Sequence, residues 1–135
     1  MPNRARAVCY RTDGERLEFL LVLTSDGERW TFPGGKIKNG EAETAAAARE
    51  VEEEAGVHGD VGEELEREDL ENHGSIVTFL MRVSAGDLKP KEHWRFPTWF
   101  DEHQASAVLR TGRKQPDRDK WLQTLARAME AIRRR

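Results

Sequence analysis

The twelve residues from Thr44 to Ala55, TAAAAREVEEEA, constrain the fold more than any other stretch of the chain. Four consecutive alanines, an arginine and four glutamates are strong helix formers. Gly56 supplies the stop at the C-terminal end. A helix turns about 100° per residue, so with Glu50 at zero, Glu53 falls at about 300° and Glu54 at about 40°. Three carboxylates therefore share one face within about 100°. Glu52 lies on the far side at about 200°. Thr44, Ala47, Ala48, Val51 and Ala55 cluster between about 60° and about 160°, the face that would pack on a sheet. A helix divided in this way into core, acidic and solvent faces needs a second layer to cover it.

The flanking segments supply that layer. Arg4–Arg11 alternates around Ala5, Ala7 and Cys9 and reads as a strand, with a turn at Thr12-Asp13-Gly14. Leu17–Thr24 (LEFLLVLT) is a short continuous apolar run, the pattern of a strand buried on both faces. A turn at Ser25-Asp26-Gly27 leads to a short strand at Arg29–Phe32, which Pro33-Gly34-Gly35 ends before a polar loop over residues 36–41. Glu64–Leu70 fits helix or strand. Asn72-His73-Gly74 reads as a hairpin turn into a strand at Ser75–Val83. Residues 85–92 form a loop and His93–Phe100 an extended segment. Asp101 can cap a helix running to about Leu109. Thr111–Pro116 breaks it, and Asp117 opens a last helix with Trp121, Leu122, Leu125, Met129 and Ile132 on one face. Strands mixed with helices indicate an α/β or α+β layered arrangement, and a chain of 135 residues is the size of one domain, 1–135.

Charge is unevenly distributed. The total is −3, but residues 41–71 hold 13 of the 25 acids and only two bases, Arg49 and Arg67. Such a block is either a solvated face or a divalent-cation site fed by basic substrate-holding residues. Like charges at i,i+3 and i,i+4 repel by a few tenths of a kcal/mol, roughly, per exposed pair, which a cation would offset. No apolar run approaches the roughly 18 residues a membrane span needs. The N-terminus lacks an apolar signal region, and a single cysteine, Cys9, excludes an internal disulfide and a Cys-rich zinc site. A reducing, cytoplasmic setting is the expectation.

From Gly35 the pattern becomes specific: Gly35, then Glu41, Arg49, Glu50, Val51, Glu53, Glu54, Gly56 and Val57, at fixed spacing. In a chain this rich in Glu and Arg, chance produces it with a probability on the order of 10⁻⁶. The segment matches the Nudix box at every fixed position, and the lead-in Trp30-Thr31-Phe32-Pro33-Gly34 resembles the family's usual entry to it. The resemblance implies an α/β/α sandwich with a mixed sheet. It implies hydrolysis of a phosphoanhydride by a Mg²⁺- or Mn²⁺-activated water. Glu50, Glu53 and Glu54 would be the metal carboxylates, with the Gly34 carbonyl as a further ligand and one glutamate as general base. Arg49 and Glu41 would orient them. Family members often supply a further acid before a late Trp; here Glu92 or His93 stands there, and the acids between Glu63 and Glu71 are alternatives.

The runs LVLTSDGERWTFPGG and WRFPTWF resemble the branch acting on diadenosine polyphosphates and diphosphoinositol polyphosphates. Such substrates need cations, which Arg29, Lys36, Lys38, Arg95 and Lys114 could supply. Trp94 could stack on a base, whereas Trp30, Trp99 and Trp121 read as core. Nucleoside triphosphates, nucleotide sugars and ADP-ribose are the other substrates of the family, and a non-catalytic nucleotide-binding module is the reading from another class. Such modules usually lack one or more box glutamates, and this chain has them all. Arg127 and Arg133–Arg135 could meet nucleic-acid phosphates, but the acidic middle and the lack of any nucleic-acid motif argue against that partner. The family is often dimeric, and no interface stripe stands out.

Overall fold

The structure is a computed structural model and describes residues 2–70, 74–84 and 87–135. Its central strand, β1 (Arg4–Asp13), is buried on both faces. Ala5, Ala7 and Cys9 join one core, whereas Val8 and Tyr10 join another. The strand LEFLLVLT behaves the same way as β2 (Arg16–Leu23): Leu20 and Val22 face the first core, Phe19 and Leu21 the second. Period-two alternation sends neighbours to opposite faces, so a continuous apolar run is what a two-sided sheet requires.

The remaining elements are β3 (Trp30–Thr31), β4 (Gly34–Lys36), α1 (Glu43–Ala55), β5 (Gly59–Leu70) and β6 (Gly74–Val83). They are followed by β7 (Thr98–Asp101), α2 (Glu102–Arg110) and α3 (Asp117–Arg133). The sheet runs β3-β2-β1-β6-β5, with β4 also on β1 and β7 also on β2. β1 and β6 are parallel, from Arg4 opposite Ile76 to Tyr10 opposite Arg82; the other pairings are antiparallel. α1 covers one face and α2 with α3 the other. This is the α/β/α sandwich with a mixed sheet expected from the sequence.

Several local expectations change. Pro33-Gly34-Gly35 does not simply end a strand: Gly34–Lys36 pairs with Arg4–Arg6, and a Cβ on Gly34 would strike the Arg6 side chain. Glu64–Leu70 belongs to a strand that starts at Gly59. His93–Phe100 is not extended throughout; His93–Arg95 makes one 3₁₀ turn, and β7 starts only at Thr98. The turn assigned to Asn72-His73-Gly74 and the start of the loop at Ala85-Gly86 lie partly outside the described residues. Asp101 does cap α2, in a reciprocal box with Gln104. On α3 the buried stripe is Thr124, Leu125, Ala128 and Ala131, with Trp121, Leu122, Met129 and Ile132 half-buried beside it.

α1 is rotated toward its acidic side. Its buried residues are Ala46, Ala47, Val51, Glu54 and Ala55, while Thr44 is exposed. Gly56 takes φ 72° at the C-cap, where a Cβ would run into the Lys89 carbonyl. The following chain closes the helix end: Lys89 N–H donates to Ala55 O at 3.1 Å, and Lys91 and Glu92 N–H donate to Glu53 O at 2.9 and 3.2 Å. These bonds satisfy carbonyls a helix end leaves open, and they fix the 3₁₀ turn beside the acidic face.

The acidic block and the basic C-terminal helix meet. Lys120 pairs with Glu68 at 3.1 Å, Arg127 with Glu66 at 2.8 Å and Arg134 with Glu63 at 3.1 Å. The heptad spacing of the cations lines one helix side up with Glu68, Glu66 and, past the β5 register shift, Glu63. Arg127 and Arg134 are thus engaged within the fold, which weakens the nucleic-acid reading further. No helix among the described residues is long and apolar enough to cross a membrane.

Val51 is fully buried between α1 and the sheet. Val51→Asp leaves an unpaired charge there and should cost more than about 4 kcal/mol, enough to abolish the cooperative thermal transition followed by circular dichroism.

Candidate active site

Where β1 passes the start of α3, its second face ends in two arginines, Arg4 and Arg6, instead of apolar residues. A cleft of about 450 Å³ opens there. Gly34, Gly35, Glu54 and Arg95 line one end; Arg4, Arg6, Phe32, Glu68, Ile76, Lys120 and Trp121 line the other. Glu54, the two glycines of β4 and the start of α3 therefore border one hollow.

The three glutamates are not equivalent. Their side-chain exposures are 2% for Glu54, 12% for Glu50 and 31% for Glu53. The rotation of α1 carries Glu54 inward, correcting the expectation of a solvent-facing cluster. Gly34 N–H donates to Glu54 Oε1 at 3.3 Å. Glu54 Oε2 is buried without a hydrogen-bond partner and lies 3.7 Å from Arg95 Nη2. Burial, and next the adjoining Glu50 carboxyl, push the Glu54 carboxyl up to about 9. Arg95 opposes this by favouring the charged form.

Arg49 organises the outer part. Its Nε and Nη2 donate to the two oxygens of Glu41 at 2.8 and 2.9 Å, a bidentate pair. Nη1 donates to Glu50 Oε1 at 2.9 Å and lies 3.4 Å from Glu53 Oε2, and Nη2 also reaches the Lys36 carbonyl at 2.9 Å. The Arg49 hydrogen bonds, with the Lys38 N–H, hold the Glu41 carboxyl down at about 2. Among the described residues no three carboxylate or imidazole groups are gathered as a ready metal-ligand set. Arg49 occupies Glu50 and Glu53 while Glu54 turns inward.

The donor set still fits a hard divalent cation. Glu54 Oε2 is an orphaned buried oxygen. A Cβ at Gly35 would lie 2.5 Å from the Glu50 carboxyl, so only glycine leaves room in front of it. Carboxylate oxygens and backbone carbonyls are the ligands such ions take. Glu50, Glu53, Glu54 and the Gly34 carbonyl are the groups available.

Of the expected substrate contacts, only Arg95 lines the cleft. Lys36 and Lys38 are exposed outside it, Arg29 packs over Gly112, and Lys114 is exposed on the connection between α2 and α3. Trp94 is 45% exposed beyond the cleft, with the Arg95 guanidinium 4.2 Å above its ring. Glu92 does not line the cleft either; it accepts from Arg95 Nε at 3.0 Å. Glu68, among the alternative acids, does line it. Arg4, Arg6 and Lys120 were not singled out. Strand alternation with Val8 and Tyr10 was the signal available for Arg4 and Arg6, and Lys120 had none.

The aromatic end is already filled. Trp121 stacks on Phe32 at 5.4 Å and lies under the guanidinium groups of Arg113 at 4.0 Å and Arg6 at 4.8 Å. Arg113 is anchored by donating to the carbonyls of Leu109 and Trp30. No open ring face is left there for a base.

The buried Glu54 gives the metal-free protein a defined pH response. The unfolded carboxyl loses its proton near its ordinary value of 4.5, whereas the folded one keeps it to about 9. Between those values the unfolded chain binds fewer protons, so rising pH favours unfolding. The metal-free melting temperature should fall from pH 5 to pH 9. Glu54→Gln should flatten that fall, which differential scanning calorimetry reads directly.

Comparison with known proteins agrees with the sequence box and the fold. The family model for the NUDIX domain matches residues 1–125. Diphosphoinositol polyphosphate phosphohydrolase 3-alpha of Mus musculus is 46% identical over 115 residues, covering 79% of this chain and 68% of the relative. Diphosphoinositol polyphosphate phosphohydrolase 2 of Rattus norvegicus is 34% identical over 112 residues, covering 79% of this chain. This chain spans 62% of that relative's length. The structure of C. elegans Ap4A hydrolase in a binary complex superposes with a TM-score of 0.73 at 25% identity, covering 96% of each chain. With the box, the sandwich and the family match in agreement, the chain belongs to the Nudix family.

Proposed function

We propose that this chain, acting as one domain, is a divalent-cation-dependent pyrophosphohydrolase whose substrate is a diphosphoinositol polyphosphate or a similarly phosphate-dense molecule. The observation that carries this reading is the lining of the cleft. Arg4, Arg6, Arg95 and Lys120 line it alongside Glu54, Glu68 and Asp117, while Trp121 packs against Phe32, Arg6 and Arg113. Among the described residues Arg4 makes no ion pair, so a substrate anion can engage it without breaking one. A ligand rich in phosphate suits such a lining better than one held by a stacked base. The names of the curated relatives support the same choice.

Glu50, Glu53, Glu54 and the Gly34 carbonyl would hold Mg²⁺ or Mn²⁺. When bound, such an ion polarises a phosphoryl oxygen and lowers the pKa of its water. Arg49 holds the Glu50 and Glu53 carboxylates in place through the bonds described above. Glu50 and Glu54 would bind such an ion as carboxylates, and one glutamate of the set would accept a proton from the attacking water. Arg95 and Arg4 bind phosphate oxygens. Glu68, inside the cleft, is better placed than Glu92 to be the additional acid. A cytoplasmic setting accords with this substrate and with the free Cys9.

Three experiments test the reading. Glu53→Gln and Glu54→Gln should each lower kcat by at least about 10²-fold while the fold persists. Near-normal kcat at saturating Mg²⁺ would remove that residue from the set. A phosphate-release panel should compare diphosphoinositol polyphosphates with diadenosine polyphosphates, nucleotide sugars, ADP-ribose and nucleoside triphosphates. Arg4→Ala should raise KM for the preferred substrate by roughly tenfold, the loss of one charge-assisted contact. Preference for a mononucleotide would overturn the phosphate-dense assignment.

A further inference from the structure

Arg95 is held from three sides and faces a fourth group. Its Nη1 donates to the Leu23 carbonyl at 3.0 Å and its Nε to Glu92 Oε1 at 3.0 Å, while its guanidinium covers the Trp94 ring at 4.2 Å. Nη2 points into the cleft and lies 3.7 Å from Glu54 Oε2. That oxygen is buried and has no hydrogen-bond partner, and the Arg95 guanidinium is the cation beside it. Backbone bonds from Lys91 and Glu92 to Glu53 O place the turn and the glutamates on one frame. The next residue, Phe96, is 63% exposed and has φ 45°, a left-handed conformation that a bulky side chain adopts only under constraint.

This placement gives one oxygen two claimants. A divalent cation at Glu50 and Glu54 needs Glu54 Oε2, and a guanidinium beside it repels that cation. The same guanidinium lines the cleft where substrate phosphates would lie, and its planar fork matches phosphate oxygens. We propose that Arg95 is a positioning residue that sits against Glu54 Oε2 in the metal-free protein and passes to the substrate's phosphate oxygens when a divalent cation takes its place, coupling cation and substrate binding. The inference rests on the metal-dependent reading above and adds an order to it. Arg95 opposes the cation until an anion is present to accept it. Coupling of this kind is reciprocal, so substrate tightens cation binding by the factor with which the cation tightens substrate binding.

The test measures Mn²⁺ binding to the whole, substrate-free protein by electron paramagnetic resonance of the free ion. Arg95→Gln removes the competing charge and should bind Mn²⁺ at least about fivefold more tightly than wild type, the lower range of such couplings. Arg95→Lys keeps a charge and should stay within about twofold of wild type. With substrate, Arg95→Gln should raise KM by roughly tenfold and change kcat less, which marks lost binding common to ground and transition states. If Arg95 only braced Leu23 and Glu92, Arg95→Gln and Arg95→Lys would act alike and Mn²⁺ affinity would not rise. Unchanged or weaker Mn²⁺ binding by folded Arg95→Gln overturns the proposal. Arg95→Met provides the same measurement should Arg95→Gln not fold. Wild type that binds no Mn²⁺ at millimolar concentration would instead overturn the metal-dependent reading itself.

Discussion

Small residues meet small residues where α1 sits on the sheet. Ala46, Ala47, Val51 and Ala55 face Ala5, Ala7 and Cys9 in one buried cluster. Short side chains let the helix backbone approach closely, and close packing leaves little freedom in its rotation. That seating brings Glu54 to the Gly34 N–H and Glu50 against Gly35, where only glycine leaves room for the Glu50 carboxylate. The same helix end receives the backbone of residues 89–92, which brings the Arg95 turn against Glu54. The site is therefore a consequence of packing on the opposite side of the helix.

Electrostatics then divides the acids into two uses. On β5 they are met by α3, through Lys120, Arg127 and Arg134. Such exposed pairs contribute about 0.2–1 kcal/mol each, so they orient the helix more than they hold it; the buried Leu125, Ala128 and Ala131 do most of the holding. On α1 one guanidinium, Arg49, answers Glu41, Glu50 and Glu53 together. Glu54 lies apart from that set, with the Gly34 N–H on one oxygen and the Arg95 guanidinium beside the other. An acid-rich segment can thus be a structural ladder at one end and a reactive cluster at the other. Net charge does not distinguish the two ends; the distance to the nearest arginine does.

The box was legible because its chemistry is local. Glu50, Glu53 and Glu54 lie within five residues, and helical periodicity alone puts them on one face. Their inequality was not legible, because the roughly 50° by which the buried face shifts toward Glu54 depends on β1 and β4 packing from elsewhere in the chain. Lys36 and Lys38 flank the box in sequence yet lie outside the cleft, whereas Lys120 is distant in sequence and inside it. Trp121, expected in the core, is half-buried at the cleft, beside Arg6 and Arg113, neither of which its own helix supplies.

Residue order alone specified the strands β1, β2, β3 and β6, the three helices, the layered class and the helix that carries the carboxylates, since each follows from periodicity and capping over a few neighbours. It also specified the family, through residues spaced along one loop and one helix. Three-dimensional packing decided which carboxylate is buried and which cations surround the cleft. It also decided that the aromatic rings are already taken. Those outcomes depend on groups as far apart as Arg6 and Trp121, or Arg95 and Glu54, and only the closing of the sheet between its helices brings such groups within reach of one another.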